Sequence, residues 1–250
     1  MTNNELKKYA SLKHKKFRYE HGLFLVEGYK TIEELLKSNL EIVKILGSEK
    51  ALQQLDTKAQ TYTEQVSSKV LQRISNMKTA SALIAVVRLP DIAEQPDVIP
   101  QTILIDDIQD PGNLGTIIRT AHWFGFKQIV CSSNSVDLYN WKVIQSSMGA
   151  VFKLKVLYGD LEQFIPRCQE QKFRILGTFM EGESIYNFKF TKKDIFVLGN
   201  EGKGISSSIE ALINQKITIP HFSTGEHTES LNISIAGAVI CSEMAKNLTF

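Results

Sequence analysis

Apolar residues along the chain fall into short runs parted by polar stretches, and the spacing changes character from one stretch to the next. Residues 23–26 (LFLV), 42–46 (IVKIL) and 82–87 (ALIAVV) predict strands, and the stretch from Tyr29 to Ser38 predicts a helix through Ile32, Leu35 and Leu36. Further on the alternation is cleaner. Strands are predicted at 102–105 (TILI), 128–131 (QIVC), 152–157 (FKLKVL), 173–177 (FRILG), 195–199 (IFVLG) and 216–220 (KITIP), with helical or loop stretches between most of them and a last helix from about Asn232 to Lys246. Near-continuous apolar strands alternating with helices predict an α/β fold whose parallel sheet is covered on both faces. Pro90, Pro96 and Pro100 crowd a segment that also carries Asp91, Glu94 and Asp97. Proline removes backbone donors and restricts its predecessor, so residues 91–101 are expected to link a small α/β domain at 1–90 to a larger one at 102–250.

Composition narrows the class. With 250 residues, 43% hydrophobic and 22% charged, the chain has material for a sizeable core, and its apolar runs fall short of the ~20 residues needed to cross a bilayer. No secretory signal is visible in MTNNELKKYA, and the three scattered cysteines, 131, 168 and 241, suggest neither a disulfide framework nor a zinc site. A cytoplasmic, metal-independent protein is the expectation. The net charge of +2 hides an asymmetry: residues 1–90 hold 15 Lys/Arg against 9 Asp/Glu, and the remainder 14 against 18. Lys7, Lys8, Lys13, Lys15, Lys16 and Arg18 share the first eighteen positions with one acid, Glu5. Such a module either handles a polyanion or presents a solvated basic face.

Ligands of open α/β sheets bind beyond the carboxyl ends of strands, and three predicted strand ends carry polar and glycine-rich clusters. The first runs from Asp106 through Gln109-Asp110-Pro111-Gly112-Asn113 to Arg119. Pro-Gly suggests a turn, with Asn113 capping the helix that follows. On that helix Leu114, Ile117, Ile118, Ala121 and Phe124 share an apolar face and Arg119 points away from it. A cation near a helix start calls for an anionic partner, a ligand or a surface acid. The second cluster, Leu198-Gly199-Asn200-Glu201-Gly202-Lys203-Gly204-Ile205, has neither Walker spacing nor the position of a dinucleotide fingerprint, and a capping box is expected at Ser207–Glu210. The third joins Ile217–Pro220 to Glu229–Ser234, where Ser230 and Asn232 are candidate caps of the last helix. His221 and His227 lack companion ligands at metal-binding spacing.

Taken in order, N-x-G-x-x-x-R, L-G-N-E-G-x-G and I-P…S-L-N-x-S resemble the three motifs of the SpoU/TrmH family of SPOUT methyltransferases, over about residues 100–247. Phe24-Leu25-Val26-Glu27-Gly28 looks like part of the L30e-like RNA-binding domain that many members carry. The resemblance implies transfer of a methyl group from S-adenosylmethionine to a ribose 2′-hydroxyl of RNA, on a domain ending in a trefoil knot and dimerising through that domain. Ribosomal RNA of the large subunit is the implied substrate. The alternatives are tRNA, or a non-catalytic RNA-binding or ribosome-assembly role on the same fold. The family's catalytic residues fall on Asn113, Arg119, Glu201, Ser230 and Asn232. Cofactor contacts are implied at Gly199, Ile219 and Leu231, with Thr178, Met180 and Asn232 beside them. RNA contacts are expected at Lys13, Lys15, Lys16 and Arg18. One departure stands out: the stretch 221–228 (HFSTGEHT) is longer and more charged than the family's link at that point.

Overall fold

In the computed structural model, which describes residues 1–90, 95–223 and 230–247, the strand-forming runs assemble into two separate sheets. One compact unit gathers Met1–Ile92 with Asp137–Lys153, and the other gathers Ala93–Val136 with Leu154–Phe250. The segment Asp137–Lys153 falls inside the stretch assigned from sequence to the larger domain, yet it packs with the first unit.

The first unit holds a mixed sheet of β1 (Leu23–Glu27), β2 (Ile42–Gly47), β3 (Thr63–Gln65) and β4 (Leu83–Arg88), in the order β1-β4-β2-β3. β4 runs antiparallel to both neighbours, and β3 adds parallel to β2. Strand residues alternate between the two faces of a sheet. Leu23 and Leu25 accordingly join Leu6, Leu12, Leu71 and Ile74 in one core layer. Phe24 points the other way and meets Tyr139, their ring centroids 4.6 Å apart. The N-terminal helix Asn3–Ser11 opens on a capping box: Thr2 Oγ1 accepts from the Glu5 N–H at 3.2 Å while Glu5 accepts from the Thr2 N–H at 2.7 Å. A second helix, Lys15–His21, ends at Gly22 in the left-handed conformation, φ +61°.

The second unit is built on six strands, β5 (Thr102–Ile105), β6 (Gln128–Ser132), β7 (Lys155–Gly159), β8 (Arg174–Ser184), β9 (Asp194–Leu198) and β10 (Gln215–Thr218). Their order is β10-β8-β9-β5-β6-β7 and every pairing is parallel. Leu104, Val130, Ile175, Ile195 and Val197 bury one face beneath the helix Leu161–Glu170, through Phe164 and Ile165. The last helix, Ile233–Asn247, packs against the helix Pro111–Trp123. At Gly237 an added Cβ would lie 3.1 Å from Leu198, so glycine lets the last helix come close.

Two strands differ from expectation. The one expected at 152–157 starts at Lys155, because Ala150–Phe152 closes into a 3-10 turn. The one expected at 173–177 continues to Ser184, its pairing with β10 resuming after a register shift between Lys216 and Ile217. Strand order reverses at the β5–β9 pair, where Ile105 lies opposite Leu198. The chain leaves β5 and β9 there in different directions, and a crevice opens beyond their carboxyl ends.

Candidate active site

Two loops meet at that crevice, one from Asp106 to Asp110 and one from Gly199 to Ser206, and carboxylates latch them together. Buried Asp106 accepts the Ser206 N–H at 2.8 Å. Asn200 Nδ2 donates to the Asp107 carbonyl at 2.8 Å, and Asn200 Oδ1 accepts the N–H groups of Gly202 and Lys203 at 2.9 and 3.0 Å. Asn200 and Gly204 also exchange backbone hydrogen bonds at 2.8 and 2.9 Å, which closes the glycine loop into a tight turn. Gly199 sits so near this turn that an added Cβ would lie 2.3 Å from the Gly204 carbonyl carbon. Asp106, Asp107 and Asn200 were not singled out from sequence; the signal present was their position at the ends of two buried strands.

The helix after β5 begins at Pro111, earlier than expected, and Asp110 is its cap, accepting from the Asn113 N–H at 2.8 Å. This corrects the capping role assigned to Asn113: Asp followed by proline at the first helical position is the stronger start signal. Asn113, inside the first turn, is freed to link the motifs. Its Nδ2 donates to Glu201 Oε1 at 3.2 Å and its Oδ1 accepts from Asn232 Nδ2 at 3.0 Å. Asn232 in turn caps the last helix, its Oδ1 accepting from the Ser234 N–H at 2.9 Å. Glu201 also accepts the N–H groups of Asp110 at 3.2 Å and Gln109 at 3.4 Å. Partial burial pushes its carboxyl up, but hydrogen bonds from its own N–H, Asn113, Asp110 and Gln109 outweigh that and hold it below the usual range. Glu201 is therefore an anion already surrounded by donors, suited to orienting its neighbours rather than to taking a proton.

The glycine loop, residues 178–180 of β8, residues 217–222 and the start of the last helix enclose a cleft of about 880 Å³, within the ~300–1,000 Å³ of small-molecule sites. Leu198, Ile217, Ile233 and Ile240 give it apolar walls, and Thr178, Met180, Gly199, Glu201, Ile219, Ser230, Leu231 and Asn232 all line it. Thr178 is held by donating to the Val197 carbonyl at 2.9 Å. An apolar chamber edged by backbone polar groups suits a flat heterocycle carried on a polar chain, which matches the chemistry of S-adenosylmethionine. Residues 224–229, including His227, lie outside the described residues. Among the described residues no group of three His, Cys, Asp or Glu is placed to hold a metal ion, and no helix is long and apolar enough to cross a membrane.

Arg119 is not brought to this cleft. It is exposed, six residues beyond Asn113 and therefore roughly 9 Å further along the axis at 1.5 Å per residue. The helix starts at Pro111, so Arg119 lies past its middle, and the helix dipole gives no reason for an anion there. The capping box expected at Ser207–Glu210 is absent too: Ser206 is the cap residue, and its side chain makes no capping hydrogen bond.

In the first unit Lys13, Lys15 and Lys16 are exposed, with Lys15 over the Tyr19 ring and Lys16 over the Phe17 ring. Arg18 corrects the RNA-contact expectation. It is only 4% exposed, ion-paired with Asp137, and donates to the Leu12 and Lys13 carbonyls at 3.0 and 3.1 Å. Tyr19 also donates to Asp137, at 2.8 Å. A guanidinium buried and committed in this way holds the fold rather than a phosphate.

A six-stranded parallel sheet with its ligand cleft in the crossing loops, and three sequence-distant asparagine and glutamate side chains bonded in series beside it, define an α/β enzyme of the methyltransferase class. The chain belongs to the SpoU rRNA Methylase family, whose model matches residues 100–242, and the MRM3-like substrate binding domain matches residues 3–85. Among similar proteins, the 23S rRNA (guanosine(2553)-2′-O)-methyltransferase RlmP of Bacillus subtilis is 28% identical over 242 residues, 95% of this chain and 94% of that protein. An RNA methyltransferase of the TrmH family from Porphyromonas gingivalis is 34% identical, with a TM-score of 0.87 over 98% of both chains. The AdoMet-bound rRNA methyltransferase of Sinorhizobium meliloti, 24% identical, shares the fold at a TM-score of 0.84 over 100% of this chain and 97% of its own.

Proposed function

We propose that the protein transfers a methyl group from S-adenosylmethionine to a ribose 2′-hydroxyl of ribosomal RNA, in the large subunit, working in the cytoplasm as a homodimer. The observation that carries this is the Asn113–Glu201–Asn232 series joining all three motifs along one edge of the cleft. The bound cofactor supplies an electrophilic methyl on a sulfonium. The chain's share is to hold the hydroxyl in line with it, and positioning of this kind contributes much of the rate. Glu201 and Asn232 fix Asn113 from both sides, which sets the ribose edge of the site, while Ser230 lines the cleft next to it. Arg119, exposed on the same helix as Asn113 but outside the cleft, acts as a clamp on an RNA phosphate, because a guanidinium with pKa above ~12 is a poor proton acceptor and a good anion holder. Substrate holding falls to the first unit, through Lys13, Lys15 and Lys16, and chemistry to the second. Dimerisation is supported by Trp123, 82% exposed on one of the two paired helices, and by exposed Ile235 on the other.

The test is mass mapping of ribose methylation in ribosomal RNA and tRNA from cells with and without the gene. One ribosomal mark is expected to vanish on deletion and to return with the wild-type chain but not with Arg119→Ala. Loss confined to tRNA would redirect the substrate, and no loss at all would refute the proposal.

A further inference from the structure

The cleft mouth carries aromatic surface that the methyl-transfer chemistry does not use. Phe222, 78% exposed, lines the mouth, and Tyr186, 47% exposed, packs on it with ring centroids 6.0 Å apart and planes inclined at 42°. Met180 and Leu231 line the same mouth and are exposed as well. Single exposed apolar side chains are ordinary; a group of four around one ligand cleft is not. Tyr186 is set in place by its turn, where the Ile185 N–H donates to the Thr218 carbonyl at 3.0 Å and the Tyr186 N–H to Ser184 Oγ at 3.3 Å.

We propose that Tyr186 and Phe222 form a stacking platform for an unpaired base of the RNA, next to the nucleotide whose ribose enters the cleft. This rests on the RNA methyltransferase reading above. RNA is recognised largely through bases splayed onto aromatic side chains, and such stacking tolerates any base. Charge argues for a base rather than the backbone: Glu181 and Glu183 are exposed on the adjoining strand β8, a poor landing place for phosphate. Phe222 also falls in the stretch 221–228, where this sequence departs from the family pattern. The platform thus favours an unpaired base beside the target nucleotide, whatever that base is.

Kinetics on a large-subunit rRNA transcript with labelled cofactor test the proposal, using Tyr186→Leu, Phe222→Leu and the aromatic exchanges Tyr186→Phe and Phe222→Tyr. Each leucine variant should raise the KM for RNA by roughly tenfold, as expected for losing one base–aromatic stack. The aromatic exchanges should keep the wild-type value, and Tyr186→Leu should keep wild-type cofactor affinity by calorimetry. If the wild type methylates no RNA, the enzyme reading itself fails. If the wild type is active and the leucine variants keep the RNA KM, the platform alone is overturned. Weakened cofactor binding with unchanged RNA KM would make the pair a cofactor cover, and a changed mass by light scattering would make it a self-contact; either overturns the platform.

Discussion

Replacing Gly199 by alanine isolates what the glycine loop contributes to cofactor binding. The φ of Gly199 is outside the left-handed region, so alanine meets no backbone strain of its own; the whole effect is steric. The new Cβ would lie 2.3 Å from the Gly204 carbonyl carbon and from the Ile205 nitrogen, and ordinary contact begins at 3.4 Å. Both obstacles are backbone, so the turn must retreat by roughly 1 Å. The Asn200–Gly204 backbone pair, at 2.8 and 2.9 Å, would then stretch well past the ~3.2 Å limit of a normal N–H···O bond. Two such bonds at about 1 kcal/mol each give about 2 kcal/mol, which is roughly thirtyfold in affinity. Gly202, two residues from the turn's closing pair, supplies the control: its added Cβ would meet only Asn200 Oδ1, at 3.7 Å. Calorimetric titration with S-adenosylmethionine should show a large loss for Gly199→Ala and wild-type affinity for Gly202→Ala. Wild-type binding by Gly199→Ala, or equal damage from both, would refute the steric account.

Three further outcomes follow from the geometry. Asp137→Asn leaves the Arg18 guanidinium buried without its counter-charge, and urea titration should register a loss of about 3–5 kcal/mol, the usual effect of breaking a buried pair. In the first unit, the Thr2 N–H and Lys44 pull the Glu5 carboxyl down from 4.5 to about 2, and Lys153 and Lys37 do the same to Glu34. Because both values are depressed, their stabilising contribution is complete above about 4.5 and fades as pH falls toward 2, so acid melts followed by circular dichroism should steepen in that window and flatten in high salt. Exchanging Lys13, Lys15 and Lys16 for glutamate should weaken RNA binding in filter assays and shallow its salt dependence while leaving cofactor affinity alone; unchanged RNA affinity at moderate salt would remove these lysines from the interface.

Periodicity revealed the elements whose stability is local or whose burial is complete. β5, β6 and β9 are continuous apolar runs with no other reading, and Leu114, Ile117, Ile118 and Ala121 mark a helix face that the structure buries. What escaped depends on partners far away in sequence. Arg18 sits among lysines and reads as one more surface cation; its acid, Asp137, is 119 residues away. The tail of β8 is polar, exposed and interrupted by Gly182, and pairing with β10 beyond a register break is what keeps it extended. β3 is three residues long, too short for any period to register. At the site, motif spacing puts Asn113, Glu201 and Asn232 in one group, but the serial bonding that joins them depends on how loops far apart in sequence are latched. The cap is the one feature that local rules could have placed better, since Asp110 stands directly before Pro111.

The backbone crosses between the two units three times, at the bounds Ile92/Ala93, Val136/Asp137 and Lys153/Leu154. That connectivity bears on how such a protein can be taken apart or recombined. A gene cut at the proline-rich segment yields no pair of clean modules. The downstream piece would carry Tyr139, Val143 and Ile144, all buried in the intact chain, without the sheet face they cover, and the upstream piece would keep Arg18 without Asp137. Exchanging the first unit for another therefore requires two coding stretches to be replaced together. A single junction at the proline-rich segment would separate side chains that the intact fold buries together.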